Sequence, residues 1–140
     1  MIELGIAMPR DADALARLYR DAGYGAAVGA EDTVLVAKTA ASLVGAVRLC
    51  REEGVLVLRG MQVRRDVQRQ GIGSRLLATC LPYLARAEAF CLPYAHLEGF
   101  YATAGFAPAD SAALPAFLAD RLATYRSRGQ DVIAMRRPAG

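Results

Sequence analysis

The sequence predicts an α+β fold, in which strands and helices are interleaved after an early run of hairpin strands. Two runs rich in β-branched and aliphatic residues, at 33–39 and 42–50, are separated by only two residues, which is typical of a β-hairpin. A third run of this kind follows at 55–63. Downstream, apolar residues recur at helical spacing at 72–84 and again at 114–128, which indicates two helices that each bury one face.

The N-terminal part is predicted to run strand, helix, loop and then the three strands above. Residues 2–7 form the first strand, and a helix capped by an aspartate spans about residues 11–21. Glycines end this helix and place a loop at residues 23–30. The turn before the third strand is Glu52-Glu53-Gly54, and Gly60 within that strand marks a bulge or a close approach to the backbone.

The C-terminal part begins with a glycine turn, residues 68–73, that opens the helix at 72–84. We expect Pro82 to kink that helix or to end its regular part, because proline lacks the N–H that a helix needs. Gly105 is a natural C-cap for a short helix before it. The later elements are a buried strand at 89–92, a short helix at 97–104, a strand from Phe106, a helix at 114–128 and a last strand at 131–136.

Composition favours a single folded domain, residues 1–140, in a reducing compartment. The 140 residues are 54% hydrophobic and 22% charged, which is enough to bury a core and excludes a disordered chain. The three cysteines, Cys50, Cys80 and Cys91, are odd in number and irregularly spaced, which excludes a disulfide scaffold. No secretory pattern is present, and the longest apolar stretch, 76–85, is too short to span a bilayer. We therefore expect a cytoplasmic protein without a membrane partner.

Charge and histidine content disfavour nucleic acid and metal ions as partners. The net charge is +3, from 17 basic and 14 acidic residues, which is too mild to indicate nucleic-acid binding. Arginines cluster between residues 64 and 75, but no aromatic residues interleave with them as stacking platforms. Guanidinium groups in such a cluster suit phosphate oxygens. A single histidine and scattered cysteines form no metal-binding pattern.

The glycine turn is the segment whose chemistry is most informative. The first turn of a helix has backbone N–H groups without internal partners and a partial positive charge. Gly71 and Gly73 allow the backbone to approach an anion closely, and Arg69 and Arg75 add positive charge. A Rossmann fingerprint would need a third glycine where Leu76 stands, and a P-loop would need Gly-Lys-Ser/Thr, which is absent. The turn therefore predicts a pyrophosphate site of another kind.

Two motifs together resemble one family. QRQGIG, residues 68–73, matches Gln/Arg-x-x-Gly-x-Gly/Ala at every fixed position, and GFYATAGF, residues 99–106, contains Phe-Tyr-x-x-x-Gly-Phe. In both motifs, and in the order of its elements, the chain resembles the GNAT (GCN5-related) N-acetyltransferases. The resemblance covers most of the chain and is least clear at 23–30 and 114–128.

The resemblance implies a fold, a donor substrate and a binding site for it. The fold is an α/β/α sandwich, whose mixed and mostly antiparallel sheet contains a splayed parallel pair, 55–63 and 89–92. The donor is acetyl-CoA, whose pantetheine arm lies in the splay beside the backbone of Met61 and Val63. A primary amine attacks the thioester directly in a ternary complex, giving an amide and free CoA. The pyrophosphate is expected on Gln68, Arg69, Gln70, Gly71, Ile72, Gly73 and Ser74.

The resemblance also implies catalytic roles. Tyr101 matches the family tyrosine that protonates the leaving thiolate. Many members carry a glutamate base on the third long strand, but Val57 and Arg59 stand at the equivalent positions, and neither is a base. The open candidates are His96, because an imidazole side chain can serve as a general base, Glu98, and a chain of water molecules.

Other interpretations stay open. The chain is either an active acetyltransferase or an acyl-CoA-binding module with little catalysis, in which the absent strand glutamate reflects lost chemistry. Arg59 either holds a carboxylate of the acceptor or forms a salt bridge with Glu52 or Glu53. Cys91 is interpreted as a buried structural thiol. The acceptor is a small-molecule or peptide amine, and a homodimer through the last strands stays open.

Overall fold

The runs of β-branched residues form one mixed sheet. The computed structural model describes residues 1–25 and 28–140, and within these ranges the sheet has seven strands in the order β1-β2-β3-β4-β5-β7-β6. β4 and β5 are parallel, whereas every other neighbouring pair is antiparallel, so the predicted mostly antiparallel sheet with a parallel pair is confirmed. The strands are β1 Glu3–Ile6, β2 Thr33–Lys38, β3 Leu43–Glu52, β4 Val55–Val63, β5 Ala89–Cys91, β6 Ala107–Pro108 and β7 Met135–Arg137.

Helices cover both faces of this sheet. The helices are α1 Ala12–Asp21, α2 Ile72–Leu84, α3 Glu98–Ala102 and α4 Ala116–Ser127. Leu56 and Leu58 of β4 pack with α2 and α3, whereas Val57, which points to the opposite face, packs with α4. Helix α1 packs on the face of α4, against the strands at the other end of the sheet. The α/β/α sandwich that the resemblance implied is therefore confirmed.

Two local features of the hairpins follow the sequence closely. Glu53 and Gly54 have φ angles of 47° and 85°, as the two central residues of a tight hairpin turn between β3 and β4 require. The pairing of β3 with β4 shifts by one residue between Ala46 and Arg48, opposite Gly60, whose φ is 67°. Gly60 therefore lies in a bulge, as predicted.

Three element boundaries differ from the predictions, in each case near a proline. Helix α2, by contrast, has the predicted bounds and continues past Pro82 to Leu84, so Pro82 does not end it. Helix α4 starts at Ala116 rather than 114, since Pro115 restricts the residue before it to extended backbone. Strand β5 ends at Cys91, and β7 starts at Met135 rather than 131, because Pro93 has no N–H with which to continue the ladder.

The short helix predicted at 97–104 is also shorter in the structure. Residues 95–97 form a single 3₁₀ turn, and the α-helix itself begins at Glu98 and ends at Ala102. Of the loop predicted at 23–30, residues 26 and 27 lie outside the described part of the chain.

Candidate active site

The parallel strands β4 and β5 separate after two residue pairs. They pair only at Leu56 with Ala89 and at Val57 with Phe90, and beyond these pairs they enclose a cavity of about 540 Å³. We call it the β4–β5 cavity. Its walls come from the segment after α1, from β4, from the segment after β5, and from α3 and α4, and its lining residues include Tyr24, Arg59, Met61, Cys91, Tyr94, Leu97, Tyr101, Arg121, Tyr125 and Arg128.

Main-chain groups near the end of β4 face this opening. The N–H of Arg64 donates to the carbonyl of Val44 in β3 at 2.7 Å, so the alternation of the strand directs the main-chain groups of Met61 and Val63 to the other side. The Val63 carbonyl is already occupied, because Gln68 Nε2 donates to it at 2.9 Å. Met61 lines the β4–β5 cavity, whereas Val63 and Gln68 border a second cavity, of similar volume, beside α1.

The glycine turn leaves an open anion site at the start of α2. Gly71 caps the helix with a φ of 78°, and the first helical bond runs from the N–H of Arg75 to its carbonyl at 3.1 Å. The N–H groups of Ile72, Gly73 and Ser74 therefore have no acceptor in the described part of the chain.

The space in front of these N–H groups suits a phosphate. A Cβ added to Gly71 would meet nothing within 4 Å, and one added to Gly73 would come no closer than 3.6 Å to the ring of Phe100. Arg69, Gln70 and Ser74 are exposed around the turn. The residues present thus fit a pyrophosphate group.

Tyr101 lies in the wall of the β4–β5 cavity with its hydroxyl uncommitted. Its ring is 6% exposed and makes edge contacts with Phe100 and Phe106, at centroid distances of 4.9 and 6.4 Å. Burial raises the pKa of Tyr101 well above its ordinary value, so the phenol stays protonated at neutral pH. No hydrogen bond joins this hydroxyl to any residue that the structure describes, which leaves its proton available to a group in the cavity.

The other two catalytic candidates lie apart from Tyr101. The side chains of His96 and Glu98 are exposed and are absent from the cavity wall. The His96 ring stacks instead on Tyr94, with centroids 5.9 Å apart. Among the described residues that line the β4–β5 cavity, none is an aspartate, a glutamate or a histidine.

One polar wall of the cavity was recognised from the sequence only at Arg59, and its partners Tyr24 and Arg121 were missed. Arg121 donates to Glu52 at 2.7 and 3.2 Å, and Arg59 donates through Nε to the hydroxyl of Tyr24 at 3.0 Å. Of the two interpretations of Arg59, the salt bridge is present with Glu52 as an ion pair, but at 3.8 Å the contact is too long for a hydrogen bond. A signal existed, since positions 121, 125 and 128 lie on one face of a helix at i, i+4 and i+7.

Tyr24 is held in this wall by the end of α1. Gly23 adopts a φ of 75°, and the N–H of Tyr24 donates to the carbonyl of Tyr19 at 2.9 Å, which together form a Schellman C-cap. The rings of Tyr19 and Tyr24 then pack with centroids 4.8 Å apart.

The comparison with known families follows this geometry. A family model described as an acetyltransferase (GNAT) domain matches residues 12–114. The chain belongs to the GNAT acetyltransferase family. It is therefore an acyltransferase of this class, as the two motifs predicted. No curated protein matches the chain significantly in sequence.

Solved GNAT structures share the fold over the whole chain. N-acetylglutamate synthase from Neisseria gonorrhoeae, complexed with coenzyme A and N-acetyl-glutamate, is 20% identical with a TM-score of 0.73, over 100% of this chain and 35% of that chain. The ribosomal-protein-S18-alanine N-acetyltransferase from Escherichia coli is 17% identical with a TM-score of 0.72, over 100% and 95%. An aminoglycoside 6'-N-acetyltransferase complexed with coenzyme A is 16% identical with a TM-score of 0.71, over 97% and 96%.

The remaining candidates have structural roles in this GNAT chain. Burial raises the pKa of the Cys91 thiol far above its ordinary value, which keeps it from reacting as a thiolate. Arg64, from the arginine cluster, donates hydrogen bonds to Asp66 and Ser42.

Within residues 1–25 and 28–140, no helix is long and apolar enough to cross a bilayer, and no group of His, Cys, Asp and Glu side chains is placed to hold a metal ion.

Proposed function

We propose that this chain is an N-acetyltransferase that moves acetyl from acetyl-CoA to a primary amine by direct attack in a ternary complex. The observation that carries this proposal is the arrangement of three features. The N-terminus of α2 has N–H groups that no described residue accepts, β4 and β5 separate beside it, and the protonated Tyr101 lies in the wall of the cavity between them. Family membership and the coenzyme A in two of the solved relatives support the choice of donor.

The donor would extend from the glycine turn into the β4–β5 cavity. The N–H groups of Ile72, Gly73 and Ser74 would bind the pyrophosphate, together with the side chains of Gln70 and Arg69. Gln68 acts indirectly, since its amide already bonds the Val63 carbonyl and so shapes the turn. The main-chain groups of Met61 would pair with the pantetheine arm and the acetyl carbonyl.

The chemistry then needs two proton transfers. The amine nitrogen forms a bond to the acetyl carbon, the carbon–sulfur bond breaks, and the hydroxyl of Tyr101 gives its proton to the leaving sulfur. The proton of the amine passes to water, because no carboxylate or imidazole stands among the described lining residues. Tyr101 recovers a proton from solvent, and neither His96 nor Glu98 has a direct part.

Calorimetry tests the donor site first. We expect acetyl-CoA to bind with micromolar affinity while ATP and NADH, which also carry phosphates, do not. Absence of acetyl-CoA binding would contradict the proposal.

Turnover separates the enzyme from a binding module. We expect CoA release with at least one member of an amine panel, at a rate that rises with pH because only the unprotonated amine attacks the thioester and its fraction grows with pH. His96→Ala should leave that rate unchanged, and a tenfold loss would return the role of base to His96. Acetyl-CoA binding without turnover of any amine would favour the binding module, an alternative that the lack of acidic residues among the described lining residues supports.

A further inference from the structure

The polar wall of the β4–β5 cavity carries excess positive charge. Arg59, Arg121 and Arg128 line the cavity, and no acidic residue does so within the described part of the chain. One carboxylate, Glu52, approaches this group, and it is bound by Arg121 through two hydrogen bonds. The wall therefore keeps positive charge that the protein does not neutralise locally.

The terminal nitrogens of Arg59 have hydrogen-bond donors that no described residue uses. Its side chain is only 23% exposed, and its Nε is used by Tyr24. Its terminal nitrogens make no hydrogen bond to a described residue, because the nearest carboxylate oxygen, on Glu52, is 3.8 Å away. A half-buried guanidinium with a free planar fork is the group that binds a carboxylate through two parallel hydrogen bonds.

Tyr24 adds a donor whose direction is set by its neighbours. Its hydroxyl accepts from Arg48 Nη1 and from Arg59 Nε, each at 3.0 Å. A phenol oxygen has two lone pairs and one proton, so two donated bonds leave the proton as its remaining polar group. No described residue accepts that proton, and Tyr24 lines the cavity, so the phenol has a proton that it can donate into the cavity.

Arg128 stands at the C-terminal end of α4, exposed and also lining the cavity. Its side chain has no ion pair or hydrogen bond with a described residue. It supplies a second cation for the same negatively charged group or for a second one.

We propose that the acceptor is a small amine that carries a carboxylate, an amino acid in the broad sense, and that Arg59, Tyr24 and Arg128 bind its carboxylate. This inference rests on the proposed acetyl transfer and names the substrate class for it. A cavity of about 540 Å³ is of the size that small-molecule sites have.

The phosphates of CoA are the other anions that these arginines could meet. No residue from 63 to 74 lines the β4–β5 cavity, so the arginine wall is separate from the turn that fits the pyrophosphate. If the arginines served CoA instead, their removal would weaken CoA binding.

Matched acceptor pairs test the substrate class. Each L-amino acid is compared with its carboxamide, and glutamate with glutamine, by kcat/KM for CoA release, corrected for the fraction of unprotonated amine. We expect the carboxylate member of a pair to exceed the neutral one by about tenfold or more, the usual effect of hydrogen bonds to a charged group. Equal kcat/KM values within every pair would overturn the inference. Turnover of a peptide with an acidic N-terminal residue, without turnover of any free amino acid, would also overturn it.

Variants test the residues. Arg59→Gln and Arg128→Gln should each raise KM for the carboxylate acceptor about tenfold and leave CoA affinity unchanged. Arg59→Lys, which keeps the charge without the fork, should fall between wild type and Arg59→Gln. Arg51→Gln is the matched control, because Arg51 is exposed on β3 and lines neither cavity. Weaker CoA binding in the Arg59 and Arg128 variants, with acceptor preference intact, would contradict the assignment.

A binding measurement covers the case in which no amine is turned over. Amino acids are titrated calorimetrically into the CoA-loaded protein and into the CoA-loaded Arg59→Gln variant. Binding of carboxylate amines that the variant loses would uphold the inference although acetyl transfer had failed. Absence of any such binding, in protein that binds CoA normally, would overturn the inference and leave the donor site intact.

Discussion

The hydroxyl of Tyr19 donates a 2.8 Å hydrogen bond to the carbonyl of Gly60, 41 residues away in the sequence. This bond ties the end of α1 to the bulge of β4, one residue before Met61. Tyr19 is 4% exposed, and burial raises the pKa of its phenol well above the ordinary value, which keeps the hydroxyl a donor. Helix α1 thus holds the bulge of β4 from the sheet face opposite to α2.

Loss of this contact should lower the free energy of unfolding. Tyr19→Phe should cost about 1 kcal/mol, since it removes one hydrogen bond and leaves the Gly60 carbonyl without that partner. Chemical denaturation measures this value, and an unchanged midpoint would show that water replaces the bond.

Gly60→Ala should lower the free energy of unfolding more than the same substitution at Gly54. An added Cβ would lie 3.1 Å from the Tyr19 hydroxyl and 3.2 Å from Arg48 Cδ, on a backbone with a φ of 67°. Gly54→Ala is the matched control, because its φ of 85° carries the same backbone strain with nothing within 4 Å. We expect about 1 kcal/mol for the control and about 2 kcal/mol or more for Gly60→Ala, by denaturation. Equal costs would mean that the crowding is relieved.

Tyr101→Phe should reduce turnover and spare the donor. The ring keeps its contacts with Phe100 and Phe106, while the proton for the leaving sulfur is lost. We expect kcat to fall about 100-fold, the range of general acid catalysis, with CoA affinity by calorimetry unchanged. Tyr83→Phe, on α2 and outside the cavity wall, is the control. Full turnover by Tyr101→Phe would remove the catalytic role.

Gly71→Ala should weaken CoA binding beyond what it costs in stability. An added Cβ would meet nothing within 4 Å in the protein, so the free energy of unfolding should fall by about 1 kcal/mol, from the φ of 78° alone. The same methyl would narrow the space in front of the N–H groups that we propose for the pyrophosphate, so CoA affinity should fall about tenfold. Gly54→Ala, with a φ of 85° and open space around it, is the control and should leave CoA affinity unchanged. Unaltered CoA binding by Gly71→Ala would place the pyrophosphate elsewhere.

Asp32 should make the free energy of unfolding fall at acidic pH. Burial would raise the pKa of this carboxyl, but the Arg48 guanidinium and the N–H of Gly29 outweigh it and hold the pKa below the ordinary 3.8. Because the folded pKa is the lower one, the stabilisation is present above pH 3.8 and is lost as the pH falls through the folded value.

Asp32→Asn should therefore lower stability near neutral pH and flatten the acid limb of the stability curve. The loss should be about 3 kcal/mol, since Arg48, only 4% exposed, would lose its carboxylate partner. Denaturant unfolding between pH 2 and 7 measures both effects. Asp66→Asn, in the exposed pair with Arg64, is the control and should change little. An acid limb as steep as that of wild type would assign the dependence to other carboxylates.

Features encoded by neighbouring residues could be predicted from the sequence. The strand Val55–Val63, the hairpin turn at Glu53 and Gly54, and the glycine turn at Gly71 each depend on periodicity or on a backbone angle that one residue type adopts. Tyr101 could be singled out from the sequence because its motif is contiguous, and it lines the β4–β5 cavity. The places where these predictions failed, such as the start of β7, depend on Pro93 in a different strand segment.

The sequence by itself determined the class of fold, through its hydrophobic periodicities, and the family, through two short contiguous motifs. One of these motifs is the glycine turn that we propose for the pyrophosphate. The polar wall of the β4–β5 cavity was decided only by tertiary structure. Tyr24, Arg59 and Arg121 come from the end of α1, from β4 and from α4, and the partners in their contacts are 35 and 69 residues apart. The same folding placed His96 on the surface, although it lies close to Tyr101 in sequence. Which charges remain unpaired in a cavity depends on distances between elements, and no local pattern of residues encodes those distances.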